Sequence, residues 1–194
     1  MKNVIIVFIV FLSFSAQSQN AFFVDKKGKK TIMRDDAVDF IPFDKRVSYK
    51  QVGKTWEKYI KFSDLNYMKW NGYIFKNFKV GKDKKEKSLF LVAETKTHKL
   101  FTVAITNTTT SARGTTMGST TWYEFLITDD KLNVIENLTF TSARRDIEDR
   151  EKIGPLVRKY FADCDQIIQN LAQTGDAADQ IGDFVSAPTY INCQ

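Results

Sequence analysis

Between residues 21 and 140 apolar side chains recur every second residue in short runs, and beyond residue 153 they recur every third and fourth. A two-residue period belongs to a half-buried strand, and a period near 3.6 to a helix with one buried face. A chain that places its strands first and its helices last folds as an α+β domain, with the helices gathered over one side or one end of the sheet. We expect about eight to ten mostly antiparallel strands in a curved or barrel-like meander, followed by two or three short helices.

The strand pattern is clearest where residue types alternate. Trp56, Lys58, Ile60 and Phe62 share one parity and Glu57, Tyr59 and Lys61 the other. Asn71-Gly72 separates two aromatic-rich runs, and because both residues tolerate positive φ this is the firmest hairpin signal in the chain. Pro42 interrupts the run 38–43, which is expected to be an edge strand or a bent one. Runs 88–94 and 100–105 pair through 95–99, and runs 122–129 and 132–140 pair through Asp130-Lys131.

Two stretches depart from that pattern. Residues 76–87 hold six lysines, which reads as a solvated turn between strands, with Lys76, Lys79, Lys82, Lys84 and Lys85 as a candidate anion-contact patch. Residues 107–121 are nearly all Thr, Ser and Gly, too polar to pack, so a long mobile loop is expected. Its Thr109, Ser111, Arg113, Thr116 and Met117 are candidate ligand contacts, since loops on rigid scaffolds often carry function.

In the C-terminal part, Ile153, Leu156, Val157, Tyr160, Phe161 and Cys164 fall on one helical face, with Pro155 in the first turn. Asp165 is expected to cap a second helix through Ile167, Ile168 and Leu171, and Asp176 a third through Ile181, Phe184 and Val185. Pro188 stops that helix, and residues 190–193 run extended back towards Cys164.

At the other end, Met1-Lys2-Asn3, the apolar run 4–14 and the small residues up to Gln19 have the layout of a secretory leader. The apolar run is shorter than the roughly 20 residues of a spanning helix. Residues 1–19 are therefore expected to be cleaved near Ser18. That leaves 20–194 as one exported domain, periplasmic or extracellular, without a transmembrane anchor and monomeric. Cleavage removes Lys2 and lowers the formal net charge from +6 to +5. This balance suits anionic polymers or other envelope components, and no nucleic-acid partner is expected because no recognised nucleic-acid motif is present.

Cys164 and Cys193 are the only cysteines. In an oxidising compartment such a pair is most simply a disulfide. A zinc site would need four ligands, and one histidine with two cysteines cannot supply them. No acidic loop has calcium spacing and no glycine pattern has phosphate-loop spacing, so no metal and no cofactor are expected.

The single histidine, His98, falls in a turn, which leaves the usual hydrolytic triads without a base. Asp176, Asp179 and Asp183 would share a helix face, but read more simply as a cap and a solvated surface. No catalytic residue is assigned.

Several segments resemble uncharacterised exported β-rich proteins of Bacteroidetes bacteria, a domain of unknown function. They are residues 59–69 followed by Gly72, the Leu100-Phe101 and Tyr123-Glu124-Phe125-Leu126 strands, and the steps Phe161-Ala162-Asp163-Cys164 and Tyr190-Ile191-Asn192-Cys193. Asp165 stands where that group usually has a proline. The resemblance implies export and a β-rich architecture, and it brings no activity. The leading expectation is a non-enzymatic binding or envelope-associated protein. The alternatives are an envelope glycan or peptide hydrolase using carboxylates or a Ser-Lys pair, and a structural subunit of an exported assembly.

Overall fold

The computed structural model describes residues 21–42, 44–81, 85–143, 146–174, 180–186 and 190–193. The leader, Lys82, Lys84, the Lys85 side chain, Asp176, Asp179 and Pro188 lie outside the described residues.

Ten strands form one open, curled antiparallel sheet: β1 (Phe22–Asp25), β2 (Lys30–Ile41), β3 (Arg46–Gln51), β4 (Glu57–Lys61), β5 (Leu65–Trp70), β6 (Tyr73–Val80), β7 (Lys85–Glu94), β8 (His98–Thr110), β9 (Thr116–Asp129) and β10 (Val134–Thr141). Their order is β10-β9-β8-β7-β6-β5-β1-β2-β3-β4. Two meanders, β1 to β4 and β5 to β10, are thus joined where β1 pairs with β5. Asn71 and Gly72 make the tight turn between β5 and β6 with φ of 47° and 82°, as their dipeptide requires. The run containing Pro42 is the end of a long internal strand, and a register shift between Met33 and Val38 supplies the expected bend.

Helices α1 (Ile147–Glu151), α2 (Ile153–Tyr160), α3 (Asp165–Thr174) and α4 (Ile181–Ser186) follow. The first lies in a charge-rich stretch that carries no apolar period, which is why the sequence pattern misses it. Cys164, not Asp165, takes the capping place of α3: its carbonyl accepts the first bond, from Ile168 N at 3.2 Å. Asp165 instead occupies the first turn, where its charge suits the helix dipole.

Three buried clusters hold the sheet in shape. Leu100, Phe125, Ile127 and Phe140 pack under Ile153, Val157, Phe161, Ile167, Leu171, Ile181 and Phe184, so the helical apolar stripes do cover the sheet. Gly182 is the point of closest approach, because a Cβ there would lie 2.8 Å from the Tyr123 hydroxyl oxygen. Thr102, buried beneath α4, donates to the Val185 carbonyl at 2.9 Å and so satisfies a group that the helix end leaves open. A second cluster gathers Phe23, Met33, Val47, Tyr49, Phe62, Met68 and Phe75 around the first meander. A third gathers Phe78, Leu89, Leu91, Phe101, Val103 and Leu126 on the second.

Cys164 and Cys193 are disulfide-bonded, with Cα atoms 5.4 Å apart. The two-residue strand β11 (Ile191–Asn192) lies parallel to β7 at Ala93 and Glu94, beyond the point where the β6 pairing ends at Phe90. The chain end therefore takes an edge that β6 leaves open. No described helix is long and apolar enough to cross a membrane.

Candidate functional site

The pairing between β7 and β8 runs only from Glu94 with Lys99 to Phe90 with Thr102. Beyond that point β7 keeps its ladder with β6 as far as Lys85, and β8 keeps its ladder with β9 as far as Thr110. The sheet therefore parts between β7 and β8, and a cleft of about 430 Å³ opens at the division. Its β-sheet wall comes from Glu86, Lys87 and Ser88 on β7, Val103 and Ile105 on β8, and Glu124 on β9. The opposite wall is Phe40 and Pro42 at the end of β2, the Asp44-Lys45 turn, Lys61, and Phe62 and Ser63 of the short 3-10 turn Phe62–Asp64.

Local bonds fix both walls. Phe62 N donates to Lys45 O at 2.8 Å, which ties the β2–β3 turn to the end of β4. Asn77 Nδ2 donates to Phe62 O at 2.9 Å, and Ser88 Oγ donates to Asn77 Oδ1 at 3.3 Å. Phe40 stacks on Phe62 with centroids 4.8 Å apart and meets Phe75 and Phe90 edge-on or tilted. The apolar floor is thus anchored in the second cluster.

The charges of the cleft are arranged in pairs. Lys87 Nζ lies 2.5 Å from Glu124 Oε2 and also donates to Asn137 Oδ1 at 2.9 Å and Thr139 Oγ1 at 2.5 Å, so it spans from β7 to β9 and β10. Glu124 Oε2 takes this ammonium and no other hydrogen bond. Glu86 pairs with Lys26 at 2.5 Å, and the hydrogen bond from that ammonium is the main cause that holds its carboxyl below the usual range. Asp44 pairs with Arg46 at 2.9 Å.

The stretch 107–121, expected as a loop, is instead the outer part of the β8–β9 hairpin. Its cross-strand pairs run from Asn107 with Thr120 to Thr110 with Thr116. The Thr-rich sequence suits a strand, and backbone pairing carried outward from the core holds it without buried apolar residues. Thr109 lies on β8, Ser111 and Arg113 in the turn, and Thr116 and Met117 on β9, with Met117 73% exposed. The basic stretch is likewise mostly strand. Lys76 and Lys79 stand on opposite faces of β6, because they lie three positions apart, an odd number, on a strand. Lys76 is half-buried, and burial, with the Lys99 ammonium second, lowers its pKa.

Among the described residues, Lys76, Lys79, Thr109, Ser111, Arg113, Thr116 and Met117 do not line the cleft. Lys45, Lys61 and Glu124 lie outside both predicted stretches, in separate segments whose meeting nothing local signals, whereas Lys87 closes the basic stretch 76–87. His98 lies elsewhere, its ring 5.0 Å from that of Tyr160 and 6.4 Å from that of Phe161. Among the described residues no group of three or more His, Cys, Asp or Glu is placed to hold a metal ion.

Beside the disulfide, the Tyr190 hydroxyl donates to Glu94. Burial first, and that bond second, raise its pKa above the ordinary value. An unfolded tyrosine ionises near pH 10. Above about pH 10 the unfolded chain thus gives up a proton that the folded chain keeps, and stability falls as pH rises. Tyr190→Phe is expected to flatten that alkaline fall in melting temperature while costing about 1 kcal/mol at neutral pH. Thermal melts of both proteins across about pH 8 to 11 check this.

Comparison with family models, curated proteins and solved structures finds no match. The class defined by the fold is therefore structural: an open, curled antiparallel sheet, cleft where two strands part, with its helices and C-terminal strand fastened by a disulfide.

Proposed function

We propose that this is an exported, non-catalytic binding protein, and that the cleft between β7 and β8, with the β8–β9 ribbon beside it, is its contact site. The carrying observation is that an apolar floor and opposed polar walls converge in a volume within the roughly 300–1,000 Å³ of small-molecule sites. The same two strands continue past Ile105 and Trp122 into the exposed ribbon, so a partner in the cleft also meets its hydroxyl-rich side. The disulfide supports an oxidising compartment.

A Ser-Lys hydrolase would need a serine hydroxyl against a lysine amine. Of the two serines that line the cleft, Ser88 is engaged with Asn77 and Ser63 is exposed with no hydrogen bond to a lysine among the described residues, while the lysine of lowered pKa, Lys76, faces Asn66 at 3.4 Å. Binding is therefore the better-supported reading.

The test compares the secreted chain with two variants: Val103→Trp, which fills the cleft, and a ribbon shortened by replacing residues 109–118 with Asn-Gly, which keeps Thr108 opposite Ser119. Both are expected to fold, with melting temperatures within a few degrees of the parent for the shortened ribbon, and both lose retention on cell-envelope fractions. Retention unchanged in both sinks the reading.

A further inference from the structure

Each carboxylate that lines the cleft already has its own cation: Asp44 has Arg46, Glu86 has Lys26 and Glu124 has Lys87. Lys45 and Lys61, which also line it, have no carboxylate partner among the described residues. Their backbones are neighbours, since Lys61 stands opposite Arg46 in register and Lys45 O accepts from Phe62 N. The cleft therefore carries two uncompensated positive charges on the wall that also holds Phe40 and Phe62, with Val103 and Ile105 across from them on the sheet. Ser63, exposed between them and the floor, adds a hydroxyl donor.

We propose that the cleft takes a single-chain anionic amphiphile, its acid head between Lys45 and Lys61 and its apolar chain along Phe40, Phe62, Val103 and Ile105. The charge count selects the head. A cationic head would meet two ammonium groups with every carboxylate of the lining engaged, and a neutral head would leave both ammonium groups without a partner. An acid head gains charge-assisted bonds from both. The floor selects the tail, because Phe40 and Ile105 stay half-buried beside the buried Phe62 and Val103, and a methylene chain removes their remaining apolar surface from water. Trp122 stands opposite Ile105 in register and is 46% exposed, so the strip continues outward at the ribbon base. The formal net charge, +6 for the full chain and +5 without Lys2, draws an anion towards the protein from a distance.

This inference rests on the binding reading above, and its test separates the two. Titration calorimetry on the secreted chain uses decanoate, decyl phosphate and 1-decanol, with octanoate and dodecanoate as a chain-length series. Decanoate and decyl phosphate are expected to bind, with affinity rising up to about fourfold per added methylene. A carboxylate preference assigns a fatty-acid source and a phosphate preference a phospholipid-like one, and either supports the proposal. K45Q/K61Q is expected to weaken both acids about tenfold or more and leave 1-decanol within about twofold.

Equal binding of acid and alcohol by parent and variant overturns the anionic head. Absence of binding by all the amphiphiles overturns the proposal, and if Val103→Trp still abolishes envelope retention, the binding reading stands without it. Should K45Q/K61Q melt early, Lys61→Gln alone, on an exposed strand end, carries the comparison. No change of acid affinity in that variant counts against the proposal.

Discussion

Replacing Cys164 and Cys193 together by alanine is expected to lower the melting temperature by about 6–16 °C. A loop of 29 residues' separation restricts the unfolded chain by roughly 3–4 kcal/mol on the chain-entropy account. Each kcal/mol shifts the midpoint of a domain this size by about 2–4 °C. The effect is local in origin. Cys164 is buried at the turn between α2 and α3, and Cys193 follows a strand of two residues held by its register on β7 and by the bond from Cys193 N to Glu94 O at 2.8 Å. Without the covalent tie so short a strand has little to keep it on the edge of β7, and the Tyr190–Glu94 bond goes with it. The cleft draws none of its lining from the described residues of 146–193, so decanoate affinity measured well below the midpoint should match that of the parent. A loss of affinity before unfolding would make the cysteines part of the site.

Lys87→Met is expected to cost about 2–3 kcal/mol in urea unfolding. The Lys87 side chain is 12% exposed and Glu124 26%, so removing the ammonium leaves a mostly buried carboxylate without its one counter-charge. The upper range for breaking a fully buried pair is reduced here because water still reaches a quarter of Glu124. Two further acceptors, Asn137 Oδ1 and Thr139 Oγ1, lose their donor as well. Lys87→Met with Glu124→Leu should recover most of the loss, since both charges then leave together. If the double variant is as unstable as the single one, the cost lies in packing and not in the unpaired charge.

Most of the strands and three of the helices were legible because burial of one face imposes a period on the residues. Ile60 and Phe62, Phe125 and Ile127, and the stripe Ile153, Val157 and Phe161 all keep to that period and all lie in the clusters. The Asn71-Gly72 turn was legible for a different reason, the φ that only a few residues accept. Residues 107–121 failed the test because nothing there is buried. A ribbon exposed on both faces has no apolar period to read, and its shape follows from the register that Leu100 to Ile105 set further in. Helix α1 escaped in the same way.

The sequence by itself determined the succession of strands and helices along the chain, the Asn71-Gly72 turn and the cysteine pair, since these depend on the period of burial, on backbone freedom and on having two thiols and no other partners for them. Only the tertiary structure decided where β7 leaves β8, because that depends on how far two ladders continue on either side of a gap. It also decided which charges of the cleft stay unpaired. Asp44, Glu86 and Glu124 each find a cation that sequence spacing alone does not identify as their partner, and the two lysines left over follow from that pairing in space.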